Sequence, residues 1–221
     1  MKKTGEYWEK RYALGGISGA GSIGLSRDWK WKVITSVLPE IDHIIDVGCG
    51  DLTFWEGRSC KDYTGIDISK TVIEGNRKKR PNWNLIVSPA ETYINGVRSE
   101  CVFCLDTLFH IMDDNAFMAI LKNLCFYSTK YIFIHTWFRN PLTMRERAKK
   151  ILATLKRGHI KRALIIAFHA IITPYTDGRY QYYRQLEQYM NIFKERNFTL
   201  IEKRENSIDN IGAMYIFKQV N

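Results

Sequence analysis

Residues 44–51 read Ile-Ile-Asp-Val-Gly-Cys-Gly-Asp, an apolar run with an acid near its end, followed by two closely spaced glycines. This order is typical of a buried strand that passes into a glycine-rich turn and then into a helix. In a doubly wound α/β sheet, ligands bind beyond the carboxyl ends of the strands, where the strand order reverses. The stretch therefore predicts an α/β fold with a ligand site at the Asp46 end of this strand.

A second acid, Asp67, closes the apolar run that begins at Tyr63, and it follows Gly48 by 19 residues. This offset matches the roughly 20 residues at which a carboxylate holds a pair of ribose hydroxyls, so a nucleotide-like ligand is predicted. A dinucleotide fingerprint needs a third glycine where this chain has Thr53. Asp51 would repel a pyrophosphate at the next helix, whereas Asp46 can attract an ammonium group. The pattern therefore favours S-adenosylmethionine over NAD.

Short apolar runs alternate with helical stretches between residues 43 and 135. The predicted strands are His43–Val47, Tyr63–Ile66, Trp83–Val87, Cys101–Leu105 and Tyr131–His135, and the predicted helices between them are Leu52–Gly57, Ser69–Lys79, Ala90–Asn95 and Asp114–Tyr127. This alternation predicts a Rossmann-like, mostly parallel sheet with helices on both faces. Two late runs, Phe198–Lys203 and Gly212–Lys218, predict an antiparallel C-terminal hairpin at the sheet edge. The length of 221 residues suits one domain, residues 1–221.

Three of these segments resemble motifs of the class I S-adenosylmethionine-dependent methyltransferases. Asp46–Gly50 resembles the first motif, Gly65–Ser69 the second, and Cys104–Ile111 the fourth. The resemblance extends from about Tyr7 to Asn140 and returns in the last two strands. It implies an enzyme of the small-molecule or polysaccharide-associated type, with S-adenosylmethionine as cofactor and S-adenosylhomocysteine as product.

The resemblance also implies the cofactor contacts. The glycine loop would cradle the methionine part, Asp67 would hold the ribose, and the fourth motif would lie beside the sulfonium. Leu52 and Pro89 depart from the family pattern, so the adenine contact is expected from the Ala90 backbone or from the Glu91 side chain. The predicted cofactor-binding residues are Trp8, Tyr12, Asp46, Gly48, Cys49, Gly50, Asp67, Ile68, Ala90, Glu91, Leu105 and Asp106.

Residues 1–30 are predicted to form a helix and a glycine-rich lid. Trp8 and Tyr12 lie one helical turn apart, and in some relatives such aromatics lie over the cofactor, where ring faces attract a cation. The alternative is that both are ordinary core aromatics. The loop from Gly15 to Gly24 is interpreted as a lid that excludes water, with a plain surface connection as the alternative.

Methyl transfer requires an aligned acceptor and, for a hydroxyl or amine, removal of a proton. His110 shortly follows the fourth strand and His135 ends the fifth, and histidine titrates near neutral pH. Both are therefore predicted catalytic candidates, with a supporting structural role as the alternative for each. Asp106 is expected to shape the cofactor site rather than to act as the base.

The net charge of +10 is concentrated in one segment. Residues 139–184 contain eleven Lys or Arg and two Asp or Glu, and they would follow the fifth strand, where this family commonly builds the acceptor site. Pro141–Arg157 and His159–Ile172 predict two helices, the second very apolar. We expect an acceptor-side cap that contacts an anionic or lipid-linked substrate, or an anionic membrane surface through residues 139–172. The alternative is a solvated basic helix followed by a core or dimer helix.

Five cysteines and no apolar leader after Met1 predict reduced thiols in the cytoplasm. A peripheral place at the inner membrane face is the alternative that residues 139–172 leave open. Cys101 and Cys104 lie three apart in an apolar strand, so they predict core cysteines on opposite faces rather than a metal site.

The function predicted first is O-methylation of a small molecule or glycan precursor. An RNA methyltransferase that uses residues 139–184 is the alternative, although no RNA-binding module is recognisable. A binding protein that keeps the fold without turnover is the third hypothesis.

Overall fold

The structure is a computed structural model that describes residues 2–141, 143–172 and 181–220. Within these ranges the strands are β1 (His43–Val47), β2 (Asp62–Asp67), β3 (Asn84–Val87), β4 (Ser99–Leu105), β5 (Ser128–Trp137), β6 (Phe198–Glu205) and β7 (Gly212–Gln219). The helices are α1 (Lys2–Ala13), α2 (Gly24–Val37), α3 (Lys70–Lys79), α4 (Asp114–Tyr127), α5 (Met144–Lys156), α6 (Ile160–Ile172) and α7 (Leu186–Glu195).

The seven strands form one sheet in the order β3-β2-β1-β4-β5-β7-β6. Strands β1 to β5 pair in parallel, and β7 pairs antiparallel with both β5 and β6. The predicted mostly parallel sheet with an antiparallel C-terminal hairpin is therefore confirmed. The chain order reverses between β1 and β4, which places the switch point beside the end of β1.

Both faces of the sheet are covered, and β4 shows the alternation. Val102 and Cys104 pack into the cluster that includes α4 and α7, whereas Cys101 and Phe103 pack into the cluster that includes α2 and α3. All four side chains are buried. Cys101 and Cys104 are therefore core cysteines on opposite faces, as predicted.

The helix predicted at Leu52–Gly57 is wrong, because only a 3₁₀ turn forms there, at Thr53–Trp55. Leu52 has a left-handed backbone (φ 62°), and Gly57 has φ 72° two residues after the turn. This bend buries Phe54 and Trp55 against Trp31 of α2. The tertiary contact with α2 decides this segment against its helical pattern.

The helix predicted at Ala90–Asn95 is also wrong, and α4 explains why. The Asn123 side-chain amide donates to the Ala90 carbonyl at 2.9 Å, and the Ile94 N–H donates to the Tyr127 hydroxyl at 2.9 Å. Side chains of α4 thus satisfy backbone groups that a helix would pair internally.

Among the described residues, no helix combines the length and apolarity needed to cross a bilayer.

Replacing Phe103 by Ala removes a fully buried ring from the central strand, where it contacts Trp55 and Phe133. We expect the free energy of unfolding to fall by about 3–5 kcal/mol, the usual cost of this truncation in a packed core. Urea denaturation measures it. Phe126→Ala is the control, because that ring is 45% exposed and its loss should cost about 1 kcal/mol or less. Equal losses for the two variants would contradict the assigned core.

Candidate active site

A cavity of about 370 Å³ lies at the carboxyl ends of β1, β2 and β4, beside the switch point. Its volume is in the range of pockets that hold small ligands and cofactors. All of the predicted site residues except His135 line it, namely Trp8, Tyr12, Asp46, Gly48, Cys49, Gly50, Asp67, Ile68, Ala90, Glu91, Leu105, Asp106 and His110. The structure thus brings together residues that are more than 100 positions apart in the chain.

The glycine turn after β1 is shaped by close neighbours. Gly48 has φ 80°, and a Cβ atom there would overlap with the Thr107 side chain. Gly50 has φ 56°, and a Cβ atom there would overlap with the Ser18 hydroxyl. Both positions therefore require glycine for conformation and for space.

Asp67, at the end of β2, is buried and accepts two backbone hydrogen bonds. Gly50 N–H donates to Oδ2 at 3.0 Å, and Ser69 N–H donates to Oδ1 at 2.9 Å. Burial raises the pKa of this carboxyl to about 6, although the two N–H groups favour its charged form. The carboxylate is thus held in one orientation on the cavity wall.

Asp46, near the end of β1, is fixed by two aromatic donors. Trp55 Nε1 donates to its Oδ2 at 2.9 Å and the Tyr63 hydroxyl donates to the same atom at 3.0 Å. Burial raises the pKa of Asp46 to about 6, and the charge of Asp67 contributes in the same direction. Two buried acids therefore line one cavity, an arrangement that attracts a cationic or hydroxyl-bearing ligand.

Helix α1 lies across the cavity because Glu9 binds the start of α3. The Ser69 hydroxyl donates to Glu9 Oε2 at 2.7 Å, and the Thr71 hydroxyl donates to Oε1. This contact sets Trp8 and Tyr12, whose ring centroids are 5.8 Å apart, on the cavity wall.

The loop after α1 is tied to the glycine turn through Ser18. The Ser18 hydroxyl donates to Asp51 Oδ1 at 2.7 Å, and Ser18 N–H donates to Oδ2 at 3.0 Å. Asp51 N–H donates back to the Ser18 hydroxyl at 2.9 Å. Asp51, which the sequence marked only as unfavourable for a phosphate, thus anchors the N-terminal loop.

Asp106 follows β4 with a positive φ of 58° and joins several elements. It accepts from Lys30 Nζ of α2, which also donates to the Gly21 carbonyl at 2.8 Å, and its Oδ1 lies 2.5 Å from His135 Nδ1. Burial alone would raise the pKa of Asp106, but the charges and hydrogen bonds of Lys30 and His135 hold it well below its usual range. Asp106 is therefore ionised at the cavity wall.

Lys30 is a site residue that the sequence reasoning missed. It is 1% exposed and lines the cavity. A signal was present, because Lys30 shares the helical spacing of Val33, Ile34 and Val37, so it occupies a place on the apolar stripe of α2. A lysine in such a stripe needs a buried partner, and Asp106 supplies it.

The two candidate histidines have different surroundings. His110 lines the cavity, with its ring centroid 5.1 Å from that of Trp8. His135 lies behind Asp106, and its Nε2 is buried with no hydrogen-bond partner among the described residues. His110 therefore lines the cavity directly, whereas His135 contacts the lining residue Asp106 from behind.

Glu91 brings a second buried polar atom without a partner to this region. Its Oε2 has no hydrogen-bond partner among the described residues, and its side chain lines the cavity. The neighbouring Ala90 carbonyl already accepts from Asn123. Of the two adenine contacts that the sequence left open, the Glu91 side chain is the one whose acceptor atom has no hydrogen bond within the described part of the chain.

The basic segment begins and ends beside the cavity. Trp137, at the end of β5, stacks on Phe109 with ring centroids 4.4 Å apart, and Tyr182 N–H donates to the Phe109 carbonyl at 2.8 Å. Phe109 directly precedes His110. Both ends of the segment therefore lie at the same rim of the cavity; residues 142 and 173–180 of the segment lie outside the described residues.

Comparison with known proteins identifies the central part of the chain. Residues 45–125, from β1 to α4, match the model of a family described as a methyltransferase domain. No curated protein gives a significant match. The family assignment thus covers the segment that supplies the glycine turn, Asp67 and Asp106.

Solved structures resemble almost the whole chain at low identity. The N-methyltransferase NodS from Bradyrhizobium japonicum, in complex with S-adenosyl-L-homocysteine, has a TM-score of 0.64 at 13% sequence identity. The match covers 99% of this chain and 100% of that one. Magnesium protoporphyrin IX methyltransferase from Synechocystis, with bound S-adenosyl-L-homocysteine, has a TM-score of 0.62 at 14% sequence identity. The match covers 99% of this chain and 95% of that one.

A third similar structure is an amino pentose methyltransferase from Micromonospora echinaspora with bound S-adenosylmethionine. It has a TM-score of 0.61 at 11% identity, with coverages of 88% and 90%. At these identities the likeness is one of fold. Together with the domain match, it confirms the class predicted from the three motifs.

Replacing Asp46 by Asn tests the buried carboxyl, since one amide oxygen can accept from both Trp55 and Tyr63. The folded-state pKa of Asp46 is raised from 3.8 to about 6, so wild-type stability should fall as the pH rises from about 4 to 6, by up to about 3 kcal/mol from this group. The variant lacks this contribution and should gain stability relative to wild type over that window. Denaturant unfolding at several pH values measures the difference.

The matched control is Asp62→Asn, which removes a carboxylate from a side chain that is 72% exposed. For Asp46→Asn, a difference from wild type that stays constant between pH 4 and 8 would contradict the burial of a charge at this position.

Proposed function

We propose that this chain, which carries a methyltransferase domain of class I, transfers a methyl group from S-adenosylmethionine to a small-molecule acceptor. One observation carries the proposal: the cavity at the switch point combines a glycine turn with two oriented, buried carboxylates, Asp46 and Asp67. Glu91 Oε2, which has no hydrogen-bond partner among the described residues, fits the same ligand, because an adenine amine can donate to it.

Each wall of the cavity has a role in this proposal. Asp67 holds the ribose hydroxyls, Asp46 attracts the ammonium of the methionine part, and Glu91 accepts from the adenine amine. Trp8 and Tyr12 present ring faces toward the region where a cation would lie. When bound, S-adenosylmethionine supplies an electrophilic methyl group on a sulfonium; the protein residues orient the partners and exclude water.

Residues 1–30 act as the lid in this proposal. The Ser18–Asp51 hydrogen bonds and the Lys30 bond to the Gly21 carbonyl connect the loop to two sides of the cavity. In this proposal the loop opens when the Ser18–Asp51 and Lys30–Gly21 hydrogen bonds break, while the Lys30–Asp106 ion pair stays in place. Such a loop can admit the cofactor and then exclude water.

For the acceptor, we favour O-methylation of a small molecule or glycan precursor, with His110 as the base. His110 lines the cavity, so it can reach an acceptor hydroxyl there. His135 is proposed as a positioning residue, because it contacts Asp106 and lies outside the cavity lining. The amino pentose methyltransferase among the similar structures supports a sugar-like acceptor.

Residues 139–184 are proposed as the acceptor-side cap, since Trp137, just before the segment, and Tyr182, near its end, both contact Phe109 beside His110. Its positive charge suits an anionic or lipid-linked acceptor and a cytoplasmic enzyme at the inner face of the membrane. RNA is the second candidate acceptor, favoured by the same charge alone.

Asp67→Ala should weaken binding of S-adenosylmethionine and S-adenosylhomocysteine by about tenfold to a hundredfold, the cost of losing hydrogen bonds to a charged group. Calorimetric titration of both ligands and of NADH measures this. Asp62→Ala, an exposed acid elsewhere on β2, should bind like wild type. Saturable binding of NADH with no response to either methyl-donor ligand would overturn the proposed cofactor.

His110→Ala should lower kcat by about a hundredfold or more while product affinity stays within about threefold. The acceptor for this assay is identified by screening sugar nucleotides, lipid-linked glycans and RNA with labelled S-adenosylmethionine. His110→Ala should also lose the pH dependence of kcat. His135→Asn keeps a side-chain donor near Asp106, so it should retain that pH dependence. A retained pH profile in His110→Ala would rule out His110 as the base.

A further inference from the structure

The hairpin of α5 and α6 exposes large apolar side chains. Ile160, Leu164 and Phe168 recur at every fourth residue of α6 and are 62–64% exposed. On α5, Leu152 and Leu155 are 59% and 43% exposed. A helix of a globular protein normally turns such a stripe toward the core, and a contiguous exposed apolar patch marks an interaction site.

Positive charge surrounds these apolar side chains. Residues 147–172 contain seven Lys or Arg and no Asp or Glu. The exposed members include Lys156 and Arg157 at the end of α5, and Lys161 and Arg162 directly after Ile160. The partner of this surface must therefore offer both apolar material and negative charge.

We propose that the α5–α6 surface, formed by Leu152, Leu155, Ile160, Leu164 and Phe168 with their flanking Lys and Arg side chains, docks on an anionic phospholipid bilayer. The apolar side chains enter the boundary between headgroups and acyl chains, and the basic side chains contact the lipid phosphates. Each helix has 13 residues and is about 20 Å long, which suits a helix lying in the plane of the interface.

Charge and apolarity together favour the bilayer over other occupants. A second copy of the chain would bring two surfaces of the same positive sign together, which costs energy in a self-complementary interface. A nucleic acid would neutralise the Lys and Arg side chains, but it offers no acyl chains for five large aliphatic and aromatic side chains. An anionic lipid surface matches both components at once.

Co-sedimentation with vesicles tests the inference on the full chain. Wild type should partition onto phosphatidylcholine vesicles that contain about 30% phosphatidylglycerol, and bind phosphatidylcholine alone at least about tenfold more weakly. The apolar variant Leu164→Ser/Phe168→Ser and the charge variant Lys161→Glu/Arg162→Glu should each lose about tenfold or more of this partitioning.

Two control variants match these changes elsewhere on the surface. Met118→Ser/Ile201→Ser removes exposed apolar side chains, and Lys61→Glu/Lys78→Glu reverses exposed charges. Both should partition within about twofold of wild type. Thermal unfolding of all the variants checks that each one folds.

Several outcomes would overturn the inference. Equal partitioning of wild type onto the two vesicle types would contradict the proposed preference for anionic lipid. Unchanged partitioning of the apolar variant would contradict the proposed insertion of its side chains. Dimerisation through this surface in sedimentation velocity, or binding of RNA but not of vesicles, would show that another partner occupies it. The vesicle assay contains no cofactor and no acceptor, so its result is independent of the proposed methyl transfer. The calorimetric titrations test the proposed cofactor separately.

Discussion

The ion pair between Lys30 and Asp106 connects the parts from which the cavity is built. Asp106 directly follows β4, Lys30 belongs to α2, His135 to β5, and the Gly21 carbonyl to the N-terminal loop. A buried lysine without a partner would be strongly destabilising, so α2 and β4 must pack in the one arrangement that pairs it. The same bonds hold the Asp106 carboxylate in place and bring the loop against the cavity. Organisation of the site and packing of the core thus depend on one contact.

The acids at the ends of β1 and β2 show how a binding site opposes stability. Asp46 and Asp67 are both buried, and burial raises the pKa of each to about 6, so both are largely charged at neutral pH at a cost to the folded state. Their orientation is maintained by donors from Trp55, Tyr63, Gly50 and Ser69. A ligand that carries an ammonium group and hydroxyls would offset this cost, which links cofactor binding to stability.

The segment after β5 combines two surfaces with separate physical roles. Trp137, just before it, and Tyr182, near its end, both contact Phe109, next to His110, and this places its two ends beside the cavity. Its two helices instead display apolar and basic side chains outward. An enzyme whose acceptor is held at a lipid surface would need both features in one segment, because membrane docking and acceptor entry must occur together.

The sequence by itself determined the sheet, the class and the place of the cavity, because all of the predicted site residues except His135 line it. Strand runs and the order of Asp46, Gly48, Gly50 and Asp67 are local patterns, and parallel strands bring their carboxyl ends to one edge. Tertiary structure alone decided what depends on distant partners. Contacts with side chains of α2 and α4 replaced the helices predicted at Leu52–Gly57 and Ala90–Asn95 by a bend and a loop. The ion pair with Asp106 placed Lys30 in the site. Tertiary structure also placed His135 behind Asp106. Sequence periodicity shows which residues face inward, but it does not show which buried charged side chains contact each other.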